Sequence, residues 1–62
     1  MRHTEYGNLC SAVDEGKEKH VKHIVTHQVG TVVACNLKDY ELEVDVGGER
    51  KTWIAENCLD AD

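Results

Sequence analysis

The sequence predicts a small, mainly β domain built from antiparallel strands. Three stretches carry this expectation. Tyr40 to Val46, YELEVDV, alternates strictly between apolar and acidic side chains. Gly47-Gly48 separates that run from ERKTWI, and upstream Gly30 to Asn36, GTVVACN, is rich in β-branched residues. Period-two alternation marks a half-buried strand, and two glycines between such runs mark a hairpin whose central residues both take positive φ.

A chain of 62 residues makes one domain. At this size about 60% of the unfolded chain's surface is buried, and the core rarely supplies more than about 3–5 kcal/mol. The core material is Val, Leu and Ile; there is no Phe, and Tyr6, Tyr40 and Trp53 are the aromatic residues. Ligand pockets of about 300–1,000 Å³ need more wall than this, so an enzyme is not expected.

In chain order, Tyr6, Leu9, Cys10 and Val13 fall at i, i+3, i+4 and i+7, one face of an amphipathic helix with Thr4 as its cap. Gly7 weakens that helix by about 1 kcal/mol relative to Ala. Val21 to Thr26 reads two ways. As a helix it has Glu15–Lys19 and Glu18–Lys22 pairs and Gly30 beyond its end; as a strand it has Ile24, Val25 and Thr26 running on towards Val29. The strand is preferred. In Gly30 to Asn36, Val32 and Ala34 point one way, Val33 and Cys35 the other, and Asn36 to Asp39, NLKD, turns the chain.

The glycine turn fixes a register. Val46 opposite Glu49 puts Asp45 opposite Arg50, Glu43 opposite Thr52 and Leu42 opposite Trp53. The charged pair then lies outside and the Leu–Trp pair inside, each contributing about 0.2–1 kcal/mol. After Trp53 a short turn is expected to bring Leu59 back over the sheet, leaving Asp60 to Asp62 frayed.

Residues 1–31 carry four acids and four bases, whereas residues 32–62 carry eight acids and three bases, the whole net charge of −5. That balance disfavours phosphate-backbone binding, which rests on Lys and Arg. The three cysteines have long, unpatterned spacings and read as small core residues. MRHTEYGNLC contains no apolar run, so neither a signal peptide nor a membrane span is expected, and a reducing, cytoplasmic location follows.

VKHIVTHQVGTVVACN followed by YELEVDVGGERKTWIAENCL resembles the small SH3-like barrels, including the Tudor-like and KOW-like modules. Gly30-Thr31-Val32, Tyr40 to Val46, Gly47-Gly48, Trp53 and Leu59 match the places that such barrels give to a G-x-V strand, an alternating strand, a glycine hairpin, a late Trp and a closing turn. The resemblance covers Val21 to Leu59 and implies a barrel over residues 21–62 behind a helical or irregular segment, 1–20. The alternative fold is α+β, with one or two N-terminal helices on a three-stranded sheet. Barrels of this kind mostly bind peptides, modified side chains, RNA or a neighbouring domain. The aromatic cage of the Tudor type, the aromatic peptide groove of signalling SH3 domains and the basic loops of KOW modules have no counterpart in these residues.

Two residue sets are candidates for function. His20, His23 and His27 would share one face of a helix, where two of them could hold zinc at about 2.0–2.1 Å. On a strand rising about 3.3 Å per residue, His23 and His27 would stand about 13 Å apart, with His20 on the opposite face. A mixed site of one histidine with Cys10, Cys35 or Cys58 stays open. The second set is the acidic strip Glu41, Glu43 and Asp45, with Arg50 beside it, which would face a basic partner or serve simply as the wet side of the strand. The expected function is a non-catalytic protein-interaction module without cofactor, a homodimer being one assembly it would allow. A transition-metal module and a nucleic-acid-binding barrel are the alternatives.

Overall fold

The computed structural model describes residues 1–62. Its elements are α1 (His3–Asp14), β1 (His20–His23), β2 (Val29–Asn36), β3 (Glu41–Val46), β4 (Glu49–Ile54), a 3₁₀ turn (Ala55–Asn57) and β5 (Cys58–Asp60). The five strands form one antiparallel sheet in the order β4-β3-β2-β1-β5. The domain is therefore mainly β with one N-terminal helix. The sheet does not close into a barrel, since β4 and β5 are its two ends. The three-stranded α+β alternative is overturned, because β1 and β5 extend the sheet on the side of β2 remote from the hairpin.

Helix α1 buries Tyr6, Leu9 and Cys10, with Val13 half-buried against the same core. The i, i+3, i+4, i+7 spacing thus found its face. Arg2, not Thr4, is the N-cap; its N–H donates to Glu5 Oε1 at 3.2 Å. Thr4 lies inside the first turn. The helix stops at Glu15 in a paired-bond cap, Gly16 N–H to Val13 O at 3.0 Å and Lys17 N–H to Ala12 O at 3.0 Å, with Gly16 at φ 86°.

The strand reading of the histidine-rich stretch holds for His20–His23 and fails beyond it. Ile24 to His27 form a turn, not a strand continuing to Val29. The cause is local: His23 Nδ1 accepts from Val25 N–H at 3.2 Å and Thr26 N–H at 3.3 Å, and His27 N–H donates to His23 O at 2.8 Å. This side-chain anchoring outweighs the strand preference of three consecutive β-branched residues. It leaves Ile24 and Val25 exposed.

β2 carries a bulge between Val32 and Ala34. Val32 pairs with Val44, Ala34 with Glu43 and Cys35 with Leu42, so the extra residue is Val33. Strict alternation would put Cys35 with Val33 on the outer face. The bulge instead turns Cys35 inward, alongside Val32 and Leu42, and leaves Val33 exposed. The inward turn lets Cys35 reach α1 and bond Cys10, Cα to Cα 5.9 Å. Reading all three cysteines as core filler is corrected for this pair; Cys58 alone remains a free, buried thiol.

The hairpin has the expected register throughout, from Val46–Glu49 to Leu42–Trp53, with Gly47 at φ 60° and Gly48 at φ 90°. Tyr40 belongs to the preceding turn, at φ 55°, rather than to the strand. Its ring stacks on His3 at 4.2 Å and meets Tyr6 edge-on at 4.8 Å, and its hydroxyl donates to Met1 O. Leu42, Val44, Val21, Ala55 and Cys58 are fully buried, and with Val32, Trp53 and the helix residues they make a single core.

The C-terminal expectation is reversed. The 3₁₀ turn sets Cys58 opposite His23 on the inner face and Leu59 opposite Lys22 on the outer face, where Leu59 is 53% exposed. Asp60 to Asp62 are also not frayed: Asp60 pairs with Val21, and Ala61 N–H donates to His20 O at 3.0 Å.

Candidate functional site

Because α1 lies on one face of the sheet, the opposite face of β3 and β4 has no helix over it. Alternation along β3 carries Glu41, Glu43 and Asp45 to that face, with Thr52 and Arg50 of β4 opposite the last two. Each carboxylate has one light local partner. Glu41 Oε1 accepts from Asn36 Nδ2 at 3.4 Å, Glu43 Oε1 stands 3.7 Å from Arg50 Nη1, and Asp45 Oδ1 accepts from Gly48 N–H at 2.9 Å. Arg50 therefore reaches diagonally to Glu43 although its register partner is Asp45, whose carboxylate caps the glycine turn. The exposed Glu43–Arg50 pair is worth about 0–1 kcal/mol and is screened by salt, so an incoming cation displaces it readily. Ile54, 50% exposed and opposite Glu41, and Val33, 40% exposed at the bulge, border the strip with apolar surface.

The three histidines are not brought together. His23 points inward, its ring edge-on to Trp53 at 5.0 Å, and His27 sits in the turn at φ 62°. His20 faces outward between two carboxylates: Nδ1 lies 2.8 Å from Asp62 Oδ1 and Nε2 lies 3.3 Å from Glu18 Oε2. No three His, Cys, Asp or Glu side chains converge on a point that would hold a metal ion.

His20 is the centre of a clasp that sequence reading missed. Its N–H donates to Asp62 Oδ2 at 2.9 Å, and Lys19 Nζ lies 3.4 Å from the same oxygen. The hydrogen bond to Asp62 holds the imidazole above its ordinary pKa of 6.5, with the Asp62 and Glu18 charges adding to it. The same bonds from His20, with help from Lys19, lower Asp62 from 3.8 to about 2. The signs follow from linkage. The His20 contribution is fully present below pH 6.5 and is lost as pH rises through its raised value. The Asp62 contribution is present above pH 3.8 and is lost as pH falls through about 2. The clasp is thus tightest between those two ordinary values. We expect the Ala61 amide to show its highest protection factor, relative to the intrinsic exchange rate at each pH, in that window, and Asp62→Asn to return the His20 titration, followed by NMR, towards its ordinary value. An unchanged His20 titration in that variant would show that the clasp does not form. Only the His20–Glu18 spacing was visible in the sequence; Asp62 lies 42 residues from His20 and no local pattern signals it.

Cys58, next to Asn57, is sealed in the core. Burial raises its thiol pKa, and Sγ donates to Ile54 O at 3.5 Å. A thiol held protonated in this way is unreactive. The surface has one cleft, about 170 Å³, between Glu5, Asn8, Leu9 and Ala12 of α1 and the side chains of Lys19 and Asp60. No helix is long and apolar enough to cross a membrane. No family model matches the chain, and neither curated proteins nor solved structures give a match.

Proposed function

We propose that this domain is a non-catalytic interaction module of SH3-like architecture that takes a basic protein segment on the open face of β3 and β4. The strand order β4-β3-β2-β1-β5 and the 3₁₀ turn leading into β5 support the architectural part of the reading. The observation that carries the functional part is the arrangement of the sheet: its inner face is consumed by α1 and the core, while Glu41, Glu43 and Asp45 project together from the other, beside Ile54 and Val33. Carboxylates bordered by apolar surface suit a partner with spaced Lys or Arg residues on an apolar segment. Arg50 acts as the counter-ion that such a partner replaces at Glu43.

Titration of the ¹⁵N-labelled domain with a lysine-rich peptide tests this. Amide shifts are expected to concentrate on Glu41–Val46 and Glu49–Ile54, to weaken with added salt, and to vanish in the combined variant Glu41→Gln, Glu43→Gln, Asp45→Asn. Shifts that persist in that variant, or that fall on other strands, would remove the strip from the function.

A further inference from the structure

From the placement of the Cys10–Cys35 bond we infer that it is a reducible clamp, and that its opening releases α1 from the sheet while the sheet stays folded. The bond is the sole covalent tie between helix and sheet apart from the chain itself, and it spans 25 residues.

What else holds α1 is modest. The helix has 12 residues with Gly7 in its interior and no basic side chain in its last turn. Helices of about this length are marginal on their own in water, so this one persists through its packing. That packing is Tyr6, Leu9 and Cys10 in the core with Val13 half-buried beside them, one hydrogen bond from Tyr6 Oη to Glu41 O at 2.8 Å, and the Met1 and Tyr40 contacts at its start. The sheet, by contrast, keeps seven of the ten core residues without the helix: Val21, Val32, Leu42, Val44, Trp53, Ala55 and Cys58. It also keeps every interstrand ladder.

The two cysteines differ in burial as residues. Cys10 is buried, whereas Cys35 is half-buried, turned inward by the Val33 bulge near the end of β2. Attack by a small dithiol reductant at the less buried residue, on Cys35 Sγ, expels the Cys10 thiolate, which takes a proton. The reductant's second thiol then attacks the mixed disulfide and frees Cys35. Two electrons and two protons pass to the protein, the two cysteines become thiols, and the reductant leaves as its own disulfide. In an oxidising setting α1 is locked on the sheet; in a reducing one it is released. Release also withdraws the Tyr6 bond from the backbone of Glu41.

The test is hydrogen exchange by mass spectrometry on the intact domain, air-oxidised and then with excess dithiothreitol, with thiols counted in parallel. Counted in denaturant, after the reductant is removed at acid pH, one free thiol before and three after reduction are expected. Amides of His3–Asp14 should exchange up to roughly 350-fold faster on reduction, the factor by which opening a loop of this length favours the unconstrained chain. Amides of β3 and β4 should keep their protection. The Cys35→Ser variant should match the reduced protein without any reductant. Three free thiols at the outset, unchanged exchange in α1, or loss of protection through helix and sheet together would each overturn the proposal; the last would make the bond a general staple.

Discussion

Leu42→Ala is expected to leave the domain largely unfolded at 25 °C. Leu42 is fully buried near the start of β3, between Cys35 of β2 and Trp53 of β4. Truncating a leucine in such a place removes its transfer energy and leaves a cavity, at a cost of about 2–5 kcal/mol. Native stability of roughly 0.05–0.15 kcal/mol per residue gives a domain of this length about 3–9 kcal/mol, and a core this small sits at the low end, about 3–5 kcal/mol. The two are of one size, so the variant sits near or past its midpoint without denaturant. The single tryptophan reports the outcome directly, because Trp53 is buried and paired with the mutated position. Its emission should shift towards that of the urea-unfolded chain, with the sloping baseline of a lost transition. A cooperative urea transition with a midpoint within a few tenths molar of the parent would mean that the core is held by something other than the Leu42 layer.

Gly30→Val is expected to be nearly as damaging, by the opposite route. A Cβ at Gly30 would stand 3.0 Å from Val46 Cγ2, 3.2 Å from Asp45 O and 3.2 Å from Val44 Cβ. Two of those neighbours are backbone or branch atoms of β3, held by ladders on both sides, and have no room to give. Overpacking of this kind costs about 1–3 kcal/mol, and valine adds two methyl groups to the clash. Thermal unfolding should begin well below that of the parent, with Gly30→Ala falling between the two. If the alanine variant were as stable as the parent, β2 would have to approach β3 less closely than this structure has it.

What the sequence made legible was the part of the fold governed by local chemistry. The glycine turn determined the register of β3 and β4, and every pair deduced from it is present. The helical face Tyr6–Leu9–Cys10 was likewise readable, because a period of 3.6 is a property of neighbours. The acidic strip followed from alternation alone. The misreadings share one cause: each depends on a break in periodicity that residue types do not announce. Val33 looks like any strand residue, yet as a bulge it reverses the facing of Cys35 and makes the disulfide geometrically available. The 3₁₀ turn at Ala55–Asn57 shifts the facing of β5 by one residue, so that Cys58 takes the buried place expected for the larger Leu59. At Ile24–Thr26, β-branched composition pointed to a strand, while the His23 ring had already captured the backbone for a turn. The His20–Asp62 clasp was out of reach, since it joins residues related only through the pairing of β1 with β5.

The strand order has a kinetic meaning as well. The β3–β4 ladder needs only the two-residue Gly47-Gly48 link, and β2 joins β3 across the four residues Leu37–Tyr40. The β1–β5 ladder must bring Val21 to Asp60 and His23 to Cys58 across almost all the intervening chain. Loop closure favours short links first, and non-local pairings set the pace of folding. The sheet is therefore expected to zip outward from the hairpin and to gain β5 last. On a ribosome, β1 would emerge early and wait with one edge unpaired until the residues after Asn57 clear the exit tunnel, and during that interval its bare edge would be open to any other strand nearby.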